Sequence, residues 1–239
     1  MLRYNILLMD ADDTLFDFHK AEAVSLAATL TALGIEPSDL AIRLYSKINA
    51  ALWREFEQGK VTKPFLQQAR FGRLFEQLGV DADTGAAKRL YGENLAECAF
   101  LLPGAEALCR RLVEMGCRLY LATNGISIVQ HRRLEKSPLK AYMSDIFVSE
   151  DIGTQKPNIK YYQYIFDKIS LIDKSQALMV GDSLTSDMAG GLRAGLDTCW
   201  YNPGHLAVEG LQPLYEIAAL EDLFAIVEGR EGNDDSKTI

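Results

Sequence analysis

The sequence is poor in the residues that build disulfide frameworks and zinc sites. Four cysteines and three histidines occur among 239 residues, and no two cysteines have the C-x-x-C spacing of a metal or redox motif. Three of the cysteines lie in apolar or helical stretches, so we expect buried, reduced thiols. The scattered histidines argue against a zinc site built from His and Cys. The cysteines are Cys98, Cys109, Cys117 and Cys199.

Positive charge and long hydrophobic runs are scarce as well. The chain has 25 Lys and Arg against 33 Asp and Glu, a net charge of −8, which argues against a nucleic-acid partner because a phosphate backbone demands clustered cations. No apolar run approaches the roughly 18 residues of a membrane span, and Met1 to Tyr4 carry no signal-peptide pattern. We therefore expect a soluble cytoplasmic protein with no membrane partner, whose 48% hydrophobic residues supply a substantial core.

Five short apolar runs, rich in β-branched and aromatic residues, predict strands. Their near-continuous hydrophobicity is typical of parallel strands covered on both faces, and helical patterns separate the later runs. This alternation predicts an α/β fold with a doubly wound, Rossmann-like parallel sheet. The predicted strands are Tyr4–Met9, Cys117–Ala122, Asp145–Ser149, Ala177–Val180 and Thr198–Tyr201. The predicted helices between them are Gly104–Met115, Ser127–Lys136, Asn158–Ile169 and Ser186–Ala194.

The interval between the first two predicted strands is too long for one crossover and has a helical pattern throughout. It predicts an all-helical lobe inserted after the first strand, close to the carboxyl ends of the strands where open α/β sheets bind their ligands. We expect a core of residues 1–16 and 101–230, a helical lobe of residues 17–100 and a flexible tail of residues 231–239. The predicted helices of the lobe are Ala21–Leu33, Pro37–Gln58, Pro64–Leu78 and Asp83–Ala99.

Carboxylates are crowded at the end of the first predicted strand, in the segment Asp10-Ala11-Asp12-Asp13-Thr14. A calcium loop of the EF-hand type does not fit, because its sixth position would be Leu15 instead of Gly and its twelfth Ala21 instead of Glu. Asp13 and Asp17 can be explained as helix caps. Two carboxylates that face one another at a strand end, as expected of Asp10 and Asp12, need a cation or a proton.

Three further polar clusters follow predicted strands. Thr123-Asn124-Gly125 offers a hydroxyl and backbone N–H groups at a helix start, which suits a phosphoryl oxygen. Lys156 precedes Pro157 and could offset negative charge, whereas Gly181 to Asp187 contains two acids, Asp182 and Asp187, that could approach a divalent cation. Each cluster alone also fits a capping turn or a surface residue.

Taken together, the four clusters resemble the motifs of the haloacid dehalogenase-like (HAD) hydrolase superfamily with a small helical cap. D-x-D-x-T stands at Asp10 to Thr14, and G-D-x-x-x-x-D at Gly181 to Asp187. The resemblance implies Mg²⁺ bound by Asp10, the main-chain carbonyl of Asp12, Asp182 and Asp187. It further implies Asp10 as nucleophile, forming an aspartyl-phosphate, and Asp12 as general acid and base. The remaining implied phosphate-binding residues are Thr123, Asn124, Gly125 and Lys156.

A narrower resemblance points to the housekeeping pyrimidine 5′-nucleotidase branch. It implies a nucleoside monophosphate as substrate, with Trp53 and Arg70 among the substrate-binding residues, although Trp53 and Phe71 also fit a helical core. We expect a monomer or weak homodimer. The segments that carry this resemblance are Phe16-Asp17-Phe18, Leu52-Trp53, Arg70-Phe71, Gln130, Arg133-Leu134 and Cys199 to Asn202. The sequence departs from the branch at Met143-Ser144 and Tyr161-Tyr162.

Several other functions compete. A 2-haloacid dehalogenase uses the same nucleophile without a metal, but Asp12 and the pair Asp182 and Asp187 argue against it. A phosphatase or phosphomutase acting on sugar phosphates, or a phosphatase acting on phosphoglycolate, would keep every motif of the core. A non-enzymatic receiver domain would share the acidic pocket and the lysine, but it would have no helical insertion of about 80 residues.

Overall fold

The structure is a computed structural model that describes residues 2–171, 173–207 and 210–230. Its six described strands form one sheet in the order β3-β2-β1-β4-β5-β6, and every neighbouring pair is parallel. This confirms the predicted α/β fold with a parallel, Rossmann-like sheet. The strands are β1 (Ile6–Met9), β2 (Arg118–Thr123), β3 (Met143–Val148), β4 (Ala177–Gly181), β5 (Asp197–Tyr201) and β6 (Tyr215–Ile217).

The described α-helices agree with the helical patterns of the sequence at most positions. Many begin at a side-chain cap, as at Asp17, Ser38, Thr62 and Asp83 before the first four helices. The helices are α1 (Phe18–Ala32), α2 (Asp39–Glu57), α3 (Lys63–Leu78), α4 (Thr84–Glu97), α5 (Ala105–Glu114), α6 (Ser127–Lys136), α7 (Ser149–Ile152), α8 (Ile159–Ile169), α9 (Ala189–Ala194) and α10 (Leu223–Glu228).

The centre of the sheet is fully buried. All four residues of β1 and all five of β4 are buried, which explains why their sequences are apolar without alternation. On one face the core contains Leu8, Met179 and Phe147, together with Tyr161 and Ile165 of α8. Parallel pairing brings the carboxyl ends of the strands to one edge, where the polar clusters of the sequence begin.

The structure corrects one of the predicted helices and adds a strand. The helix predicted over Ser186–Ala194 begins only at Ala189, because Leu184–Met188 form a wide turn with π-helical hydrogen bonding. The Ser183 side chain caps this turn by accepting from the N–H of Ser186 at 3.2 Å. Strand β6 was not predicted. Its three residues pair with β5 through the main chain and are too few to show a periodic pattern.

Contacts divide the described chain into two compact units. The first comprises the chain up to Phe16, Leu101–Ser127 and the chain from Pro138 onwards, and it contains the whole sheet. The second comprises Asp17–Phe100 and Ile128–Ser137. Residues 128–137, which the sequence assigned to the core, are therefore grouped with the helical unit. The predicted tail, residues 231–239, lies outside the described residues.

Helix α6 makes specific contacts inside the helical unit. The Arg133 side chain is buried and donates from Nε to the carbonyl oxygen of Cys98 at 3.0 Å, and Lys136 pairs with Glu97. These contacts explain why α6 is grouped with α1 to α4, although its position in the sequence lies between two strands. As a division into domains, the predicted boundaries stay a prediction.

The structure describes the state of the cysteines and allows the helices to be compared with a membrane span. All four cysteines are described, and they are buried and free, as expected. Among the described helices, none is both long enough and apolar enough to cross a membrane.

Candidate active site

The predicted site residues of the sheet unit meet where the direction of winding reverses. From β1 the chain continues to β2 on one side, whereas β4 lies on the other side of β1. Such a switch point opens a crevice at the carboxyl ends of the strands. Asp10 directly follows β1, Thr123 ends β2 and Asp182 directly follows β4.

The loop after β1 is held by main-chain hydrogen bonds. The N–H of Asp10 still donates to the carbonyl oxygen of Val180 at 2.9 Å, so Asp10 continues the line of the strand. Phe16 donates back to the carbonyl oxygen of Ala11 at 2.8 Å, and Asp13 adopts the left-handed conformation with φ 57°. The turn therefore keeps Asp10 fixed at the end of the sheet and assigns Asp13 a structural position.

Lys156 is the central cation of the site. Its side chain is buried, with 1% of the residue exposed, and its Nζ donates to Asp10 Oδ1 at 2.5 Å and to Asp187 Oδ1 at 2.6 Å. A third hydrogen bond of 2.7 Å joins Nζ to the carbonyl oxygen of Ala122, at the end of β2. All three ammonium hydrogens thus have a partner, and the lysine connects segments that are far apart in the sequence.

The electrostatics of the site are those of crowded, buried acids. Burial raises the pKa of Asp10 to about 8, with Lys156 opposing the rise and Asp187 adding to it. Burial and the charges of Asp10 and Asp187 also raise the pKa of Asp182 well above its usual range. For Lys156, burial favours the neutral amine, but the charges of Asp10 and Asp187 outweigh it and raise the pKa well above its usual value. Burial and mutual repulsion therefore favour the protonated forms of Asp10 and Asp182, even with Lys156 nearby.

Three carboxylates are placed so that they could share a metal ion. Oxygens of Asp10, Asp182 and Asp187 lie within 4.8 Å of one another. Hard carboxylate oxygens are the ligands that Mg²⁺ prefers, and a divalent cation would favour the ionised forms of Asp10 and Asp182, whose pKa values burial raises. The residues therefore fit Mg²⁺.

Asp187 also accepts from Lys156 and, through Oδ2, from the N–H of Ser183 at 3.2 Å. Asp12 was assigned through its main-chain carbonyl, and that role stays a prediction.

The cluster Thr123-Asn124-Gly125, at the end of β2, is held by local and long-range hydrogen bonds. The buried Thr123 hydroxyl accepts from the N–H of Gly125 at 3.0 Å, which closes a tight turn. The Asn124 side chain reaches across to the main chain of Lys156, with which it forms two hydrogen bonds. Helix α6 begins just beyond, where the Ser127 N–H donates to Glu150 at 2.8 Å. Direct binding of substrate by Thr123, Asn124 and Gly125 stays a prediction.

One contact of the site was missed because it depends on strand pairing. The indole N–H of the buried Trp200 donates to the carbonyl oxygen of Asp182 at 2.7 Å. The parallel register sets Trp200 beside Gly181 and so brings its side chain to the loop after β4. The sequence analysis names Trp200 only as part of Cys199 to Asn202, one of the segments that resemble the pyrimidine 5′-nucleotidase branch. Nothing local to that segment indicates its partner.

Gly181 is required by the close approach of Asp187. A Cβ atom at this position would lie 2.2 Å from Asp187 Oδ2. We therefore expect Gly181→Ala to displace Asp187 from Lys156 and to lower the free energy of unfolding by about 1–3 kcal/mol, as other overpacked sites do. Urea unfolding of the variant and the wild type measures this difference.

Gly72→Ala is the matched control for Gly181→Ala. Gly72 lies inside α3, and a Cβ atom there would have no other atom within 4 Å. Since alanine is the better helix former, we expect Gly72→Ala to leave stability unchanged or to raise it by up to about 1 kcal/mol. Equal losses in the two variants would contradict the steric explanation.

The two predicted site residues of the insertion lie in the helical unit, in different surroundings. Trp53 is half-buried on α2 and packs edge-on against Phe56, with ring centroids 5.5 Å apart. Arg70 has only 2% of its surface exposed; it donates to Asn49 Oδ1 at 3.3 Å, and its guanidinium carbon lies 4.5 Å from the ring centre of Tyr91. Arg70 thus belongs to the interior of this unit. Binding of substrate by Trp53 and Arg70 stays a prediction.

Comparison with known proteins identifies the family. The sequence model of the haloacid dehalogenase-like hydrolase family matches residues 4–195, a range that contains every cluster of the site. The chain belongs to the haloacid dehalogenase-like hydrolase family. This confirms the resemblance drawn from the four motifs and the prediction of an enzyme of this family, and it excludes a receiver domain.

The relatives and a solved structure agree over nearly the whole chain. The chain is 41% identical to YfnB of Bacillus subtilis, described as a HAD-hydrolase, over 228 residues that cover 95% of this chain and 97% of YfnB. A crystal structure of YfnB bound to magnesium superposes with a TM-score of 0.90 at 40% identity, covering 94% of this chain and 99% of that one.

Two further HAD relatives are named for an activity. The pyrimidine 5′-nucleotidase PynA of Streptococcus pneumoniae is 41% identical over 221 residues, which cover 92% of this chain and 93% of PynA. The pyrimidine 5′-nucleotidase YjjG of Escherichia coli is 32% identical over 228 residues, which cover 93% of this chain and 97% of YjjG. These names agree with the narrower resemblance found in the sequence.

Proposed function

We propose that this HAD hydrolase is a Mg²⁺-dependent 5′-nucleotidase that hydrolyses pyrimidine nucleoside monophosphates through an aspartyl-phosphate. The observation that carries the chemistry is the buried Asp10 carboxylate, 2.5 Å from Lys156 Nζ and grouped with Asp182 and Asp187. The substrate class rests on the two relatives named pyrimidine 5′-nucleotidase, PynA and YjjG. A cytoplasmic location and a monomeric or weakly dimeric state stay predictions.

Lys156, Asp10 and Asp12 have different roles in the proposed reaction. A phosphate monoester is a dianion, and the Lys156 ammonium reduces its repulsion from the carboxylate of Asp10. Asp10 attacks phosphorus, the bond from phosphorus to the nucleoside oxygen breaks, and Asp12 donates a proton to that oxygen. Asp12 then accepts a proton from the water that hydrolyses the aspartyl-phosphate and restores Asp10.

Further residues hold the reacting groups in place. Asp187 fixes Lys156 Nζ at 2.6 Å, and Thr123 ends the strand beside Asp10, where it can bind a phosphoryl oxygen. Asp10, Asp182 and Asp187 would hold Mg²⁺, which would supply further positive charge to the phosphoryl group during its transfer. Trp53 and Arg70 are proposed to contribute to the choice of substrate.

Metal removal tests the role of the acidic cluster. We expect EDTA to abolish hydrolysis and added Mg²⁺ to restore it, because the carboxylates need a cation to face a dianion. We also expect Asp182→Asn to weaken Mg²⁺ binding, measured by calorimetry in the absence of substrate, at least about tenfold. Asp173→Asn is the control, since Asp173 is exposed and bonds only to Ser175 and Gln176 among the described residues. Full activity in EDTA would contradict the metal role.

A substrate screen tests the proposed function directly. The wild-type enzyme with Mg²⁺ is assayed against UMP, dUMP, dTMP, purine nucleoside monophosphates, β-hexose phosphates, phosphoglycolate and a 2-haloacid. We expect the highest kcat/KM for a pyrimidine nucleoside monophosphate. Preference for sugar phosphates or phosphoglycolate would overturn the nucleotidase assignment while keeping the phosphatase chemistry. Halide release without metal would overturn both.

A further inference from the structure

The Asn124 side chain joins three of the polar segments of the site. Its Oδ1 accepts from the N–H of Lys156 at 2.9 Å, and its Nδ2 donates to the carbonyl oxygen of Lys156 at 2.9 Å. Nδ2 also donates to Ser186 Oγ at 3.2 Å, in the turn that contains Asp187. The amide is buried, and both hydrogens of Nδ2 are used.

These hydrogen bonds hold the main chain of Lys156, the cation that contacts Asp10 and Asp187. The Lys156 ammonium makes three hydrogen bonds of 2.5–2.7 Å, to Asp10, Asp187 and Ala122. Such a geometry requires the main chain of Lys156 to be fixed as well as its side chain, because a long flexible side chain does not hold one position by itself. Asn124 provides this by pairing with both polar groups of the Lys156 main chain.

An amide side chain can pair with the N–H and the C=O of Lys156 at the same time, which aspartate and serine cannot do. Pairing with an N–H and a C=O of the same residue needs an acceptor and a donor on one short, planar group. Aspartate has the right shape but no donor, and serine is too short to reach both groups at once. An aspartate would leave the carbonyl oxygen of Lys156 without its donor, and a serine would leave at least one of the two main-chain groups without a partner. Either loss costs a buried unsatisfied group.

We infer that the Asn124 side chain is a positioning group that acts through Lys156 and is not itself a ligand of the substrate. Its kinetic consequence rests on the function proposed above, whereas its structural consequence does not. Binding of substrate by the Asn124 side chain would require breaking its hydrogen bonds to Lys156 or Ser186. The inference concerns the side chain alone, because the sequence suggested phosphate binding through the backbone N–H groups of this turn.

The kinetic test compares variants in the full-length enzyme with Mg²⁺ and the best phosphomonoester of the screen. We expect Asn124→Ala to lower kcat about 10²-fold, the size of effect that a misplacement of about 1 Å can have, and to change KM less than about threefold. Asn124→Asp, which keeps the shape of the side chain and tests the donor, should lower kcat to a similar extent. If Asn124→Ala does not fold, Asn124→Asp alone tests the effect on kcat.

Asn158→Ala is the matched control for the loss of an asparagine near Lys156. Asn158 is exposed and caps α8 by accepting from the N–H of Lys160 at 3.0 Å. We expect this variant to lower Tm by about 2–4 °C, as the loss of a helix cap does in a protein of this size. Its kcat should remain that of the wild type. An equal loss of kcat in Asn158→Ala would show that any loosening of this segment suffices, and would overturn the inference.

A double-mutant cycle with Lys156→Met separates action through Lys156 from an independent effect. In the Lys156→Met background, Asn124→Ala should lower single-turnover rates by less than about threefold, because the group that it positions is gone. A further loss of about 10²-fold would overturn the inference. So would a large increase in KM at unchanged kcat for Asn124→Ala, which is the result expected of a substrate ligand.

A crystal structure of Asn124→Ala tests the inference without any activity. We expect Lys156 Nζ to lose at least one of its hydrogen bonds to Asp10 and Asp187, with the Lys156 main chain displaced. An unchanged Lys156 would overturn the inference. If the wild-type enzyme hydrolyses no phosphomonoester, the proposed function fails, but this measurement still decides the role of Asn124.

Discussion

Asp10→Asn should lower kcat by about 10⁴-fold or more, because the variant has no carboxylate to form the bond to phosphorus. The substitution preserves the shape of a side chain that is buried at the end of β1, so the fold should remain intact. Steady-state and single-turnover assays with a pyrimidine nucleoside monophosphate measure the loss. Mass spectrometry of the wild-type enzyme, quenched during turnover, should detect a phosphoryl adduct that is missing from the variant.

Two other aspartates near Asp10 in the sequence, Asp12 and Asp17, provide the comparison. Asp12→Asn should also remove nearly all turnover, since the leaving nucleoside oxygen would have no proton donor. Asp17→Asn is the matched control: Asp17 caps α1 by accepting from the N–H of Lys20 at 2.9 Å, and asparagine caps a helix about as well. Full activity of Asp10→Asn would contradict the role of Asp10 as nucleophile. A loss of kcat in Asp17→Asn as large as that in Asp10→Asn would contradict the role of Asp17 as a helix cap.

Lys156→Met should lower kcat by about 10³-fold, because it removes the ammonium that reduces repulsion between Asp10 and the phosphate dianion. It should also lower the free energy of unfolding by about 3–5 kcal/mol in metal-free buffer, the usual cost of removing one partner from a buried ion pair. Added Mg²⁺ should recover part of this stability, since a ligand that binds only the folded state stabilises it. Urea unfolding with and without Mg²⁺ measures the second effect.

Lys160→Met is the matched control for Lys156→Met. Lys160 lies one turn further along the chain, in the first turn of α8, and is exposed. Its loss should change both kcat and stability by little, because an exposed cation is screened by solvent. An equal destabilisation of the two variants would contradict the central position assigned to Lys156.

The agreement between sequence and structure is best where local pattern alone determines an element. The apolar run from Tyr4 to Met9 predicted β1 because a strand buried on both faces has no polar position. Helix α6 was predicted with the bounds that it has in the structure, Ser127–Lys136. The prediction was wrong at Ser186, where a serine cap and a wide turn delay the helix to Ala189, and it omitted the short strand β6.

The sequence by itself determined the parallel α/β fold, the helical insertion and the family, because strand hydrophobicity, helix periodicity and motif spacing are local properties of the chain. Only the tertiary structure decided which partner each buried polar group has. The contacts of Lys156 with Asp10 and Asp187, of Asn124 with Lys156 and of Trp200 with Asp182 span between 18 and 146 positions. Such contacts depend on sheet order and register, which bring strand ends together across the chain, and no pattern within one segment records them.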